Sequence, residues 1–184
     1  MTAASFTELR SPRLTLRRLR VEDAPALCAY RGLPEVARYQ SWDAYTLADA
    51  ERLIAAQAGV APDTPGTWLQ LAVVETLSGT LVGDCGLHFR ADEPRQMELG
   101  VTFAPAHQRR GLATEALRCV LGYAFDALGK HRVSATTDAE NAPAAALFGR
   151  LGFRQEGHFV EHTWFKGTWG SEYLFALLAR EWRD

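Results

Sequence analysis

The residues of this chain best placed to do chemistry lie in the run Gln108-Arg109-Arg110-Gly111-Leu112-Ala113. Behind it, Ala113, Leu117, Val120, Leu121, Ala124, Phe125 and Leu128 recur three or four apart, the stripe of an amphipathic helix that Gly129 ends. The run therefore opens a helix, and the first N–H groups of a helix have no intrahelical partner. Such groups, with the helix dipole behind them, are ready donors for a phosphate. Gly111 lets the backbone approach a ligand closely, Ala113 is too small to shield it, and Arg109 and Arg110 add positive charge. By itself, Gly111 fits an ordinary strand–helix connection equally well. Two nucleotide readings do fail: a Walker loop needs Gly-Lys-Ser/Thr, and a dinucleotide turn needs a third glycine.

Other reactive side chains are scattered. His88 and His162 are single histidines in strand-like segments with no ligand spacing around them, so no metal site is expected. Cys28, Cys85 and Cys119 form no C-x-x-C pair and sit in apolar stretches, which reads as buried thiols in a reducing compartment. Asp84 interrupts an apolar strand; it is either an outward-facing strand residue or a group that neutralises an incoming ammonium.

The elements that must position the turn follow from periodicity. Met97, Leu99, Val101 and Phe103 alternate as a strand that runs through Ala104-Pro105-Ala106-His107 into the turn. Leu69, Leu71 and Val73 alternate likewise, as do Leu81, Gly83, Cys85, Leu87 and Phe89, with Ser78-Gly79 turning between the two strands. Upstream, residues 13–19 read as a first strand, and Glu22, Asp23 and Pro25 start a helix ahead of Leu27 and Tyr30. A second helix is expected over residues 47–58, capped by Thr46, and residues 59–67 form a loop. Downstream, Val133, Ala135 and Thr137 predict a strand, and Asn141, Pro143 and Gly152 bound a further helix. Strands over residues 157–165 and 172–178 close the series. This order predicts an α/β fold built on a mixed, mostly antiparallel sheet of about six to seven strands with about four helices.

Bulk properties narrow the function classes. A length of 184 residues fits one domain, spanning 1–184. A net charge of −2 gives no reason to expect a nucleic-acid partner. No charged-then-apolar leader and no apolar run of membrane-spanning length is present, so a cytoplasmic protein without a membrane partner is expected.

The segment from Val101 to Ala113 resembles motif A of the GNAT N-acetyltransferases, an apolar-x-apolar strand end followed by Q/R-x-x-G-x-G/A. A second block, from His131-Arg132-Val133 through Asp138, Asn141 and Leu151-Gly152-Phe153 to Glu156-Gly157, is similar to the strand–helix–strand that follows it in that family. Arg13-Leu14-Thr15-Leu16-Arg17 and Leu177-Leu178-Ala179-Arg180-Glu181-Trp182 resemble the RimJ/RimL-type subgroup, which acts on ribosomal-protein N-termini. The resemblance covers nearly the whole chain. It implies the GNAT fold with splayed central strands, acetyl-CoA as donor, and a primary amine as acceptor attacked directly in a ternary complex. A protein or peptide N-terminal α-amine is the first acceptor implied. A small amine such as an aminoglycoside, polyamine or amino-acid derivative is the second. No motif decides between monomer and homodimer.

Roles carry over residue by residue. The backbone of Val101 and Phe103 would pair with the pantetheine arm, with the Val101 amide as oxyanion donor. The amides of Gln108, Arg109, Arg110, Gly111, Leu112, Ala113 and Thr114 would bind the pyrophosphate. Asn141 matches a residue that contacts the cofactor arm, although a plain helix cap explains it equally well. Glu98 is the candidate general base, directly or through water. Alternation puts it on the face opposite Val101 and Phe103 unless a bulge resets the register, and a solvated strand carboxylate is the competing reading. At the cofactor-site position where the family often has Tyr stands Phe148, and Ala144 replaces a subgroup Ser, so neither supplies a proton to the thiolate. A non-catalytic acyl-CoA sensor would show the same two losses. Tyr39, Trp42 and Asp43 fall where the family shapes the acceptor pocket, and Asp84 and His162, beside Glu161, are further candidates for its wall. Trp164 and Trp169 bracket the last turn and are expected to pack.

Overall fold

Alternating apolar side chains build one eight-stranded sheet among the described residues, 6–182 of a computed structural model. The strands are β1 (Glu8–Arg10), β2 (Leu14–Arg18), β3 (Thr67–Glu75), β4 (Leu81–Phe89), β5 (Gln96–Phe103), β6 (Arg132–Asp138), β7 (Arg154–Phe165) and β8 (Thr168–Leu178). Their spatial order is β1-β2-β3-β4-β5-β6-β8-β7, and only the β5–β6 pair is parallel. The helices are α1 (Ala24–Arg31), α2 (Pro34–Ala37), α3 (Leu47–Gln57), α4 (Leu112–Gly122), α5 (Ala142–Arg150) and α6 (Ala179–Trp182).

Several boundaries differ from the periodic reading, each for a local reason. The additional strand, β1, has one apolar residue, Leu9, opposite Leu16, which is too little alternation to register in a sequence. β7 begins at Arg154 and not at residue 157, and its register shifts twice against β8. It is an edge strand, largely exposed, so no buried face imposes a pattern on it. The long helix is α-helical only to Gly122 and then widens into a π-helical turn, Tyr123–Ala127. α2 and α6 are single short turns that no stripe could have revealed.

Helices cover both faces. On one, Leu16, Leu71, Leu87, Met97 and Leu99 pack against Leu117, Val120 and Leu121 of α4 and Leu147 of α5. On the other, Ala72 and Val74 of β3 meet Leu27 and Tyr30 of α1 and Ala50 and Ile54 of α3. β3 thus buries both parities of its side chains. Cys85 is wholly buried, and that burial pushes its thiol pKa up, whereas Cys28 and Cys119 are half-buried and so only partly fit the expected inert thiols. No helix among the described residues is long and apolar enough to cross a membrane.

The feature that matters for function is where the sheet opens. β5 pairs with β6 over three positions only, from Gln96–Arg132 to Glu98–Ser134. Beyond them β5 stays on β4 as far as the Gly83–Phe103 pair, while β6 stays on β8 as far as Asp138–Glu172. The two strands therefore splay. β4 follows β5 closely because position 83 is glycine: a Cβ there would lie 2.5 Å from the Thr102 carbonyl oxygen and 3.0 Å from the Phe103 ring. The obstructing atom is backbone and cannot swing aside. Gly83→Ala is accordingly expected to lower unfolding free energy by about 1–3 kcal/mol, seen as a lower urea midpoint at unchanged slope.

Candidate active site

The turn before α4 curls through two left-handed residues, Arg109 at φ 59° and Gly111 at φ 77°. Gly111 occupies the N-cap position, and no side chain caps the first turn of α4. By contrast, Thr46 caps α3 and Asn141 caps α5, accepting from the Ala144 N–H at 3.2 Å. The leading amides of α4 are thus left open to an anion. Arg13, just before β2, braces the turn: its guanidinium donates to the Arg110 carbonyl at 3.1 Å and to Glu115 at 2.6 Å. Glu115 also accepts from Ser11 Oγ and the Arg13 N–H, and these hydrogen bonds outweigh partial burial, so its carboxyl pKa lies below the usual value.

Backbone groups of β5 point into the splay. The Ala104 N–H donates to the Val82 carbonyl at 2.9 Å, and the β4–β5 register is uninterrupted up to that point. Bonding alternates along an antiparallel ladder, so Val101 and Phe103 turn their N–H and C=O groups away from β4, toward the gap left by β6. Gln108 Nε2 meets the Phe103 carbonyl there at 2.9 Å. The same unbroken register means that no bulge moves Glu98. It stays on the face opposite Val101 and Phe103, the face shared with Trp68, Gln70, Asp84 and Gly86.

Two adjoining cavities result, of about 470 and 620 Å³, within the usual range for ligand sites. The first runs along the turn and is lined by Val101, Phe103, Gln108, Arg109, Gly111, Leu112, Ala113, Thr114 and Asn141. The second lies over β3, β4 and β5 and is lined by Tyr39, Trp42, Trp68, Asp84, Glu98 and Phe148, among others. They meet at Tyr39, Gln40, Val101, Thr102, Asn141 and Ala144.

A buried polar network supports the second cavity. Asp84 is fully buried and accepts hydrogen bonds from the Tyr30 hydroxyl, the Arg31 guanidinium and the Gln70 amide. Burial, reinforced by the Asp84 charge, pushes the Tyr30 pKa well up, so Tyr30 remains a neutral donor. Burial opposes the Arg31 charge, but the Asp84 carboxylate more than offsets it and the net shift is upward. Arg31 in turn lies 4.8 Å from the Trp42 ring and 5.2 Å from the Tyr45 ring, and its carbonyl accepts from Trp42 Nε1 at 3.0 Å. The β7–β8 turn closes the wall from outside: Lys166 Nζ donates to the carbonyls of Ala37 and Trp42 and ion-pairs with the exposed Asp43 at 3.1 Å.

Several expected placements are corrected. The Arg110 side chain is outside the first cavity, paired with Glu75 at 2.7 Å and bonded to His107. Phe148 lines the second cavity and not the first, against Phe153 and Phe175. Asp84 is the reverse of an outward-facing strand residue, because three donors make its burial tolerable. His162 is exposed beside Phe159, next to the β7 register shift, and does not line the cavity; its neighbour Thr163 does. Trp164 and Trp169 meet edge to face but stay more than half exposed. Periodicity missed Arg13, Arg31, Gln70 and Arg150, which lines the first cavity. The partners of Arg13 and Arg31 lie 102 and 53 residues away, too far along the chain for any local signal.

Comparison with known proteins agrees with this geometry. Residues 13–154 match the acetyltransferase (GNAT) domain. The chain is 31% identical to the uncharacterized N-acetyltransferase p20 of Bacillus licheniformis over 175 residues, 95% of this chain and 97% of that one. It is 33% identical to a spermidine N(1)-acetyltransferase of Vibrio cholerae over 75 residues, 41% of this chain and 43% of the relative. Its structure is similar to that of a GNAT-family acetyltransferase from Bacillus anthracis, with a TM-score of 0.85 at 26% identity, covering 95% of this chain and 99% of the other.

The buried pair sets a stability test. Arg31→Met strands Asp84 without its counter-charge and is expected to cost about 3–5 kcal/mol in chemical denaturation. The double variant Arg31→Met/Asp84→Leu removes both charges and should recover a large part of that loss.

Proposed function

The chain belongs to the GNAT acetyltransferase family and is an N-acetyltransferase that uses acetyl-CoA; on that premise we propose that it acetylates a primary amine of a small, multiply charged cation by direct attack in a ternary complex. The charge of the second cavity carries this reading. Glu98, Asp138 and Glu172 line it, and among the described residues none of them is ion-paired with Lys or Arg. The one basic residue in its lining, Arg31, is committed to Asp84. Trp42, Trp68 and Tyr39 add aromatic wall suited to an alkylammonium chain. The partial likeness to a spermidine acetyltransferase supports the same acceptor class.

In this reading the open amides of α4 hold the pyrophosphate, and the Val101 N–H donates to the thioester oxygen as that oxygen gains charge. Donor and acceptor meet where the cavities join, at Val101 and Thr102. No cysteine lines either cavity, which favours direct transfer over a thioester-linked enzyme. Glu98 takes the ammonium proton, directly or through water. Phe148 offers no proton to the thiolate, which is itself a competent leaving group. We take the continuous sheet and its helices as one catalytic domain. The subgroup likeness of the chain ends favours a second acceptor, a protein N-terminal α-amine.

Release of free thiol from acetyl-CoA, measured against polyamines, aminoglycosides and a peptide library, tests the acceptor. Polyamines should give the highest kcat/KM. Preference for peptide N-termini would establish the second reading, and tight CoA binding with no turnover would make the protein a sensor. Gly111→Trp should abolish CoA binding in calorimetry by filling the turn. Glu98→Gln should lower kcat about 100-fold with CoA affinity unchanged.

A further inference from the structure

The geometry points to His88 as the residue that positions Glu98 for proton transfer, an inference that rests on Glu98 being the base. His88 on β4 and Glu98 on β5 are direct partners in the antiparallel register. His88 Nδ1 lies 3.7 Å from Glu98 Oε2. That nitrogen is shielded from solvent and has no hydrogen-bond partner, which is costly for a ring nitrogen unless a partner arrives. The ring plane is held by stacking on Trp68, at 4.7 Å between centroids and 8° between planes. Trp68 can lie there because position 86 is glycine; a Cβ would come within 3.1 Å of the indole.

The surrounding charges are already engaged. Arg90, just beyond the end of β4, pairs with Asp92, and Asp84 pairs with Arg31. Gln70 donates to Asp84, and from β6 the residue level with Glu98 is Ser134, which carries no charge. Arg90 also feels the Glu98 charge, but its hydrogen bonds go to Asp92, so His88 is the side chain placed to hydrogen-bond Glu98. The gap of 3.7 Å exceeds a hydrogen bond, and a small rotation of the flexible Glu98 side chain closes it, as hydrogen bonds at catalytic groups commonly tighten on substrate binding. With Nδ1–H donating to Oε2, the other carboxylate oxygen is held toward the cavity, where the amine arrives. His88 itself touches no substrate, and no proton passes through it.

His88→Phe keeps a ring on Trp68 and removes the N–H. It is expected to lower kcat about tenfold while leaving KM for acetyl-CoA and for the amine within about twofold. His88→Asn, whose amide N–H falls close to where Nδ1 stands, should restore kcat to within about threefold of wild type. In a Glu98→Gln background, His88→Phe should have no further effect. Wild-type kcat in His88→Phe, or an Asn variant no better than Phe, would overturn the positioning role. Wild-type kcat in Glu98→Gln would instead place the failure in the assignment of the base. Should His88→Phe not fold, His88→Leu supplies the same comparison against Asn.

Discussion

β5 and β6 share a ladder for three residues and then part, because each has a stronger commitment on its other side. β5 is held against β4 through Gly83, where the backbones approach too closely for any side chain, and β6 is held by seven register pairs with β8. The first cavity follows from this divergence. The divergence leaves the outward amides of Val101 and Phe103 without a strand to bond, opens a gap wide enough for a ligand, and delivers the chain from Phe103 into the turn that starts α4. A sheet that continued its parallel pairing would satisfy those amides internally and present no cleft.

The second cavity depends on a different device. Asp84 is an anion set in the middle of a sheet face, which is tolerable only because Arg31, Tyr30 and Gln70 converge on it. The network ties α1 to β3 and β4, and Arg31 passes the restraint on to Trp42 and Tyr45 through cation–π contact. Its own charge is thereby neutralised. Glu98, Asp138 and Glu172, the cavity carboxylates without a Lys or Arg ion-pair partner among the described residues, leave it with negative charge. Asp138 and Glu172 stand directly opposite each other across β6 and β8, a like-charged arrangement that the proposed cationic acceptor would relieve.

The donor side and the acceptor side are built on different principles. In the proposed arrangement the donor side would use backbone: amides of the turn, amides of a strand edge, and a left-handed glycine. The proposed acceptor side would use side chains, drawn largely from β3, β4, β5, β6, β8 and the segment between α2 and α3. Backbone recognition tolerates wide variation in side chains so long as the path of the chain is kept, which suits a cofactor common to a family. Side-chain recognition changes with single substitutions, which suits an acceptor that differs among relatives.

This division also explains what was legible beforehand. The strand ending at Phe103, the turn at Gly111 and the helix behind it are contiguous in the chain, and their spacing carries the physics of an open helix terminus directly. The eight-residue alternation of β5 likewise put Glu98 opposite Val101, and the unbroken register kept it there. Tertiary structure alone decided the rest. Whether Asp84 faced solvent or a buried counter-charge depended on Arg31, 53 residues away, and the reach of Lys166 to Ala37 and Trp42 spans more than 120 positions. Periodicity reports which face a side chain takes, but not what stands across from it. Charges and hydrogen bonds act over a few ångströms of space, and the chain brings distant residues within that range only by folding.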